Sequence, residues 1–148
     1  MPSKFTITSR PGLRRLQYAE RYAVISITDF LSKPAYIHDK PGKKAVLRLQ
    51  FDDVKSESGT AGPYHYCTPD HADAICRFVK RVYDQVDQIV VHCEAGVSRS
   101  AAIACTLAEL IEGSNPFIGA LKKDGQPKYF PNEFVCQAIK AAWARSQE

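Results

Sequence analysis

The stretch His92-Cys93-Glu94-Ala95-Gly96-Val97-Ser98-Arg99-Ser100 combines a nucleophile, a turn-forming glycine and a fixed cation. A thiol attacks only as its thiolate, and an ordinary cysteine ionises near pH ~8.5. The flanks of Cys93 supply a reason for earlier ionisation. The apolar run Ile89-Val90-Val91 reads as a buried strand, and the apolar run from Ala101 to Ile111 reads as a buried helix. A strand that ends at the cysteine, then turns into a helix start, aims backbone N–H groups and the positive end of the helix dipole at one point. That is an anion site, and a thiol held in it should ionise in the range ~3.5–7.5. Arg99 adds a planar fork of donors that matches two oxygens of a phosphate. The chemistry this composes is in-line attack of sulfur on phosphorus. Glu94, Ala95, Gly96, Val97, Ser98 and Arg99 would hold the equatorial oxygens.

Cys93 and Arg99 are six positions apart. This spacing closes the loop into a cradle, with the sulfur at its floor and the guanidinium at its rim. Gly96, midway, meets the need for positive φ or close backbone approach. Ser100 can set a hydroxyl beside the sulfur and help it leave in a later step. A merely structural buried cysteine would leave Gly96, Arg99 and the helix start unexplained.

His-Cys-x-x-Gly-x-x-Arg-Ser resembles the signature of the cysteine-dependent protein tyrosine phosphatase superfamily, and the Ala95–Ser100 run is most similar to its dual-specificity branch. The resemblance implies a general acid, an Asp carried on a loop tens of residues before the cysteine. Asp52 and Asp53, 41 and 40 residues before Cys93, are the candidates, and the Gly- and Pro-containing insert after Asp53 accounts for a gap longer than the family's. A carboxylic acid on a closing loop can protonate the leaving oxygen and then, deprotonated, activate water against the cysteinyl-phosphate. The strand before them puts Leu47, Leu49 and Phe51 on one face, so a period of two places Asp53 with them and Asp52 opposite. Parity therefore favours Asp53 as the acid, with Asp52 the alternative. The resemblance also implies that His92 holds the loop and lowers the cysteine pKa without shuttling protons. Pro131-Asn132 followed by Phe134 resembles a family element beside the cradle; Asn132 is a candidate brace for the loop, with helix capping as the competing role.

The elements that must position these groups follow the chain. Lys4–Thr8 alternates as an edge strand, and Arg10-Pro11-Gly12 is a turn. Leu13–Tyr18 is read as a short helix. Tyr22–Thr28 is a β-branched strand, Phe30–Lys44 a connecting loop containing an exposed His38, and Ala45–Phe51 a strand by alternation. Val54–Tyr66 is a long loop whose Tyr64, His65 and Tyr66 line a substrate rim or pack the loop down. Thr68-Pro69-Asp70 starts a helix that runs to about Asp87. A buried helix spans Ser98 to about Glu112 and stops at Gly113. Phe117–Lys123 is read as a further short helix, Asp124–Pro127 as a turn, and Asn132–Arg145 as the last helix. Strands come first and helices cluster after them. The expected fold is one α/β domain over residues 1–148, a mostly parallel sheet of four or five strands with helices on both faces. The site then falls at the carboxyl end of the strand ending at Val91. This is the fold the phosphatase resemblance implies from about Tyr22 onward.

Composition narrows the function. A net charge of +4 suits anionic substrates, but no basic block or aromatic-plus-basic stripe points to nucleic acid. The five cysteines are odd in number and include no Cys-x-x-Cys pair. With an N-terminus that lacks an apolar signal region and no run approaching the ~18 apolar residues of a membrane span, the expectation is a cytoplasmic protein. Amides and Arg99 supply the positive field, so neither a cofactor nor a metal is required. The leading reading is a phosphatase of phosphotyrosine, extending to phosphoserine or phosphothreonine, on a phosphorylated protein partner. A phosphatase of a phosphoinositide or RNA 5′-phosphate would be expected to carry basic residues in the loop, whereas Glu94, Ala95, Val97 and Ser98 are not basic. A non-catalytic phosphate-binding module would not need both Cys93 and Arg99. A rhodanese-type sulfurtransferase fits the His before the cysteine and the Arg-Ser pair less well.

Overall fold

The protein, seen in a computed structural model, is described over residues 2–55 and 65–148. Four strands form one sheet: β1 (Phe5–Ser9), β2 (Tyr22–Thr28), β3 (Lys43–Gln50) and β4 (Gln88–Cys93). Their order is β1-β4-β2-β3, and every neighbouring pair is parallel. The sheet is thus the parallel α/β sheet expected, and all four carboxyl ends open on one edge. β2 is buried along its whole length, as a β-branched run between two strands requires. Its side chains alternate between two cores: Ala23, Ile25 and Ile27 enter the larger, Tyr22 and Val24 the smaller.

Helices cover the two faces unequally. α1 (Pro69–Val82), α2 (Arg99–Leu107) and α3 (Glu133–Ser146) all contribute to the larger core. The opposite face is closed by Leu13, from a single 3-10 turn at Pro11–Arg14, and by Ala35 and Ile37. α1 begins with a reciprocal cap. The Thr68 hydroxyl accepts from the His71 N–H, and His71 Nδ1 accepts from the Thr68 N–H, both at 3.1 Å. Such a cap is worth ~1 kcal/mol. Every residue of α2 is buried; the helix widens into a π turn at Ala108–Glu112 and ends at Gly113, whose φ is 76°. That left-handed residue terminates a helix at little cost only when it is glycine.

Three expected helices differ. Leu13–Tyr18 is not helical: after the 3-10 turn the chain pays out along the sheet, with Leu13 buried as its anchor and the Tyr18 hydroxyl donating to the Leu13 carbonyl. Phe117–Lys123 is a series of turns, broken by Gly119 at φ 82° and closed by an antiparallel bridge between Leu121 and Pro127. The first long helix stops at Val82 and hands over to a 3-10 turn at Tyr83–Gln85. His38 is half-buried against the edges of Tyr18 and Tyr36. Most of the 54–66 loop, including Tyr64, lies outside the described residues; His65 stacks on Phe30 and Tyr66 packs edge-on against Phe134.

Candidate active site

β4 carries Cys93 to the carboxyl edge of the sheet, and α2 starts six residues later at Arg99. The turn between them is held by its neighbours. Gly96 has φ 71°, and a Cβ there would lie 2.7 Å from both Ser9 N and Thr8 C. Both demands on glycine, left-handed backbone and close approach, therefore apply at this position. The approaching chain is the end of β1, which pairs with β4. Just beyond it, the Arg10 N–H donates to the Glu94 carbonyl, and Arg10 Nη1 donates to Glu94 Oε2 and Ser32 Oγ, each at 3.1 Å. The Glu94 side chain thus leans outward onto Arg10.

His92 points to the opposite face and is fully buried. Its Nδ1 lies 3.1 Å from the Cys93 carbonyl and its Nε2 2.6 Å from Ser26 Oγ. Burial holds its pKa below the usual histidine value, so the ring is neutral. A carbonyl can only accept, which assigns the proton to Nδ1 and leaves Nε2 to accept from the Ser26 hydroxyl. His92 is consequently a strut between two strands.

The Cys93 thiol is recessed, with the residue 2% exposed. Burial alone would raise its pKa, but hydrogen bonds from the Ser100 hydroxyl and from the backbone N–H groups of Ser100 and Gly96, with the charge of Arg99, outweigh burial and lower it. Ser100 Oγ lies 3.2 Å from the sulfur. The other four cysteines behave oppositely: burial pushes Cys67 up to about 12, Cys76 and Cys105 up to about 11, and Cys136 upward as well. Cys93 alone is set up to be a nucleophile.

Arg99 is anchored by one of its three nitrogens. Nη1 donates to Asp29 Oδ1 at 2.7 Å and to the Phe51 carbonyl at 2.8 Å. Nε is buried and has no partner among the described residues. An unsatisfied buried donor costs ~1–3 kcal/mol, which an anion's oxygen would relieve. Asp29, at the end of β2, was not marked by any local motif; it becomes functional only because β2 lies beside β4. Arg10, Ser26 and the Phe51 carbonyl belong to the same class of residue.

The two aspartates after β3 have different surroundings. Asp52 is tied down, accepting from the N–H of Phe30 at 3.0 Å and of His65 at 2.8 Å. Asp53 reaches the cradle: its Oδ1 accepts from Ser98 Oγ at 2.8 Å and from Asn132 Nδ2 at 2.7 Å. Asn132 makes contacts of both kinds, to the helix start and toward the cradle. Its Oδ1 caps α3 through the Val135 N–H, while its Nδ2 also reaches the Val54 carbonyl. Its own N–H donates to the Ser98 carbonyl, and the Phe130 N–H donates to that of Val97. The site thus gathers an ionisable thiol, an open guanidinium donor, a ring of loop amides and a carboxylate at the rim, an arrangement suited to displacement at phosphorus.

Comparison with known proteins agrees with this geometry. A sequence profile of the protein-tyrosine phosphatase family matches residues 53–117, which contain the whole cradle. No curated protein matches the chain. In fold, it is similar to the human tyrosine phosphatase-like serine/threonine/tyrosine-interacting protein, with a TM-score of 0.64, 14% identity, and coverage of 98% of this chain and 94% of the other. It is similar to a mouse putative dual specificity phosphatase, with a TM-score of 0.60, 19% identity, and coverage of 97% and 84%. Human DUSP28 follows at a TM-score of 0.57 and 18% identity, covering 98% and 96%. At these identities the structural likeness speaks for the fold, while the profile match speaks for the sequence around the cradle. The segment that carries Cys93, Gly96, Arg99 and Ser100 is thus similar in sequence to the protein-tyrosine phosphatase family, and the whole chain is similar in fold to the phosphatase-like structures above.

Proposed function

We propose that the protein is a cysteine-dependent phosphatase that hydrolyses phosphotyrosine, and with it phosphoserine or phosphothreonine, in a phosphorylated protein substrate. The observation that carries this reading is the Cys93 thiol, kept acidic despite burial and set beside an Arg99 with an unpartnered buried Nε. In the first step the Cys93 thiolate attacks phosphorus; an S–P bond forms and the ester P–O bond breaks. Asp53 gives its proton to the departing oxygen. In the second step water attacks phosphorus, its proton passes to Asp53, and the S–P bond breaks to return the thiolate, which the Ser100 hydroxyl stabilises. Asp53 suits this role because only Oδ1 is engaged by Ser98 and Asn132, leaving Oδ2 to carry the proton. Asp52, with both oxygens bound to backbone, suits a structural one. Cys93 and Arg99, 2% and 5% exposed, are recessed, which suits a phosphate presented on an extended side chain such as phosphotyrosine. Glu94, pinned by Arg10, offers no positive charge for the further phosphates of an inositide. Five free cysteines suit a reducing, cytoplasmic setting.

The test is turnover of phosphotyrosine, phosphothreonine and phosphoinositide panels without added metal. Cys93→Ser should abolish turnover while keeping phosphate-ligand binding. Arg99→Lys should fail as well, since an ammonium cannot reproduce the two-point contact. Near wild-type rates in Cys93→Ser would refute the reading.

A further inference from the structure

Between the π turn and α3, the chain makes an excursion that the catalytic reading does not use. Residues 120–128 fold back on themselves: the Lys122 N–H donates to the Gln126 carbonyl at 2.8 Å, and the Lys128 N–H donates to the Ala120 carbonyl at 2.8 Å. Gly125, at φ 86°, makes the turn. Two features of this hairpin are unusual together. It exposes large apolar side chains, Ile118 at 71%, Leu121 at 61% and Phe130 at 61%. It also carries Lys122, Lys123 and Lys128, all exposed, and none of the three forms an ion pair among the described residues. Asp124 is the one acid in the turn, and its carboxylate accepts from the Gln126 N–H.

The apolar side chains do not form a flat patch. Ile118, Leu121, Pro127, Tyr129 and Pro131 line a groove of about 230 Å³, room for one bulky side chain. The groove adjoins the cradle. Tyr129 and Pro131 line it, and Phe130, between them, donates its N–H to the Val97 carbonyl of the phosphate loop at 2.9 Å. One residue spans at most ~3.6 Å of chain, so the groove wall starts within a residue or two of the loop that would hold the phosphate.

We infer that this hairpin is a docking surface for the protein substrate, and that it takes a segment with a bulky apolar residue and acidic neighbours, a few positions from the phosphorylated residue. The inference rests on the phosphatase reading and names the substrate class for that site. Charge complementarity selects the partner: three exposed lysines that form no ion pair among the described residues attract carboxylates, and the groove takes the apolar side chain. Its concavity is why a peptide is chosen over an anionic membrane, which would meet convex apolar side chains.

The experiment compares two phosphotyrosine peptides, one with a leucine flanked by glutamates and one with alanine and serine in their place, together with a small aryl phosphate. The full chain is used as wild type, as a Lys122→Ser/Lys123→Ser/Lys128→Ser variant, and as Leu121→Ser. Wild type should prefer the acidic-apolar peptide by about tenfold or more in kcat/KM, carried mainly by KM, and the preference should shrink as salt rises. The lysine variant should lose most of the charge-dependent part, and Leu121→Ser the leucine-dependent part. Both should keep wild-type turnover of the aryl phosphate, which also reports that they are folded. Equal kcat/KM for the two peptides, or a preference the variants do not alter, would overturn the inference while leaving the phosphatase reading intact. No turnover of the aryl phosphate by wild type would instead sink the phosphatase reading; peptide binding to Cys93→Ser, followed by fluorescence anisotropy, then still tests the surface. Lysine-dependent cosedimentation with phosphatidylserine vesicles, without peptide preference, would assign the surface to a membrane and overturn the proposal.

Discussion

Ser100→Ala removes one hydroxyl and isolates its share in keeping the nucleophile ionised. The oxygen lies 3.2 Å from Cys93 Sγ, and Ser100 is fully buried, so water has no easy route to replace it. A thiolate can only accept, which fixes the hydroxyl as donor in the ionised state. A hydrogen bond to a charged group is worth ~1.5–3 kcal/mol. Below the thiol's pKa, losing it should cut the thiolate population by roughly 10- to 150-fold, at ~1.4 kcal/mol per factor of ten. The backbone donors at Gly96 and Ser100 and the charge of Arg99 remain, so the variant should still ionise more readily than its four sister cysteines. The assay is the pH profile of alkylation of Cys93 by iodoacetamide, followed by mass spectrometry. The midpoint should move to higher pH. The same variant should release the phenol of an activated aryl phosphate in a burst, then turn over slowly, because the leaving thiolate has lost its donor. An alkylation midpoint that stays in place or moves to lower pH would show that Ser100 does not stabilise the thiolate, and the account of the lowered pKa would fail.

The other predictions concern the rim, the loop and the histidines. Asp53→Asn should lose ~10²–10⁴-fold on an aryl phosphate with a poor leaving group and little on an activated one. Asp52→Asn should mainly lower Tm, because its carboxylate holds the Phe30 and His65 amides; the reverse pattern would exchange the two roles. Gly96→Ala should abolish vanadate binding in a titration, since the left-handed conformation costs ~1–2 kcal/mol and the new methyl meets the β1 backbone at 2.7 Å; unchanged affinity would count against a cradle braced by β1. Burial holds the pKa values of His71 and His92 below the usual 6.5. The stability they contribute is therefore complete above pH 6.5 and lost as pH falls toward their lowered folded values. Tm should decline over that acidic interval, and His71→Gln, which cannot be protonated, should flatten part of the slope.

What could be read in the sequence is what depends on neighbours along the chain. Cys93, Gly96, Arg99 and Ser100 lie within one loop, so their types and spacing report their joint chemistry. β2 declares itself by a stretch rich in β-branched residues, and α1 by Thr68-Pro69-Asp70. The partners that complete the site are distant: Arg10 is 84 positions from Glu94 and Asp29 is 70 from Arg99. They meet only because the strand order sets β1 and β2 on either side of β4, and strand order leaves no local mark. The two short helices that spacing predicts are absent for a related reason. Leu13 and Leu16 have helical spacing, but one turn is too short to repay nucleation, and the open face of the sheet claims Leu13. In 117–123, Gly119 and the Leu121–Pro127 bridge decide the backbone against an otherwise permissive composition.

The seat of Gly96 on β1 also bears on timing. β1 is the first strand made, and its partner β4 follows more than 80 residues later, Phe5 pairing with Ile89. Contacts so far apart close late, because the intervening chain must be ordered first. Until they close, the turn at Gly96 lacks its seat on the β1 backbone. A chain in which β1 has not docked is expected to hold the loop amides less firmly around the sulfur, and so to activate it less. Pulse alkylation of Cys93 during refolding would then time the docking of β1 against the turn, as a rise in the thiolate-dependent rate.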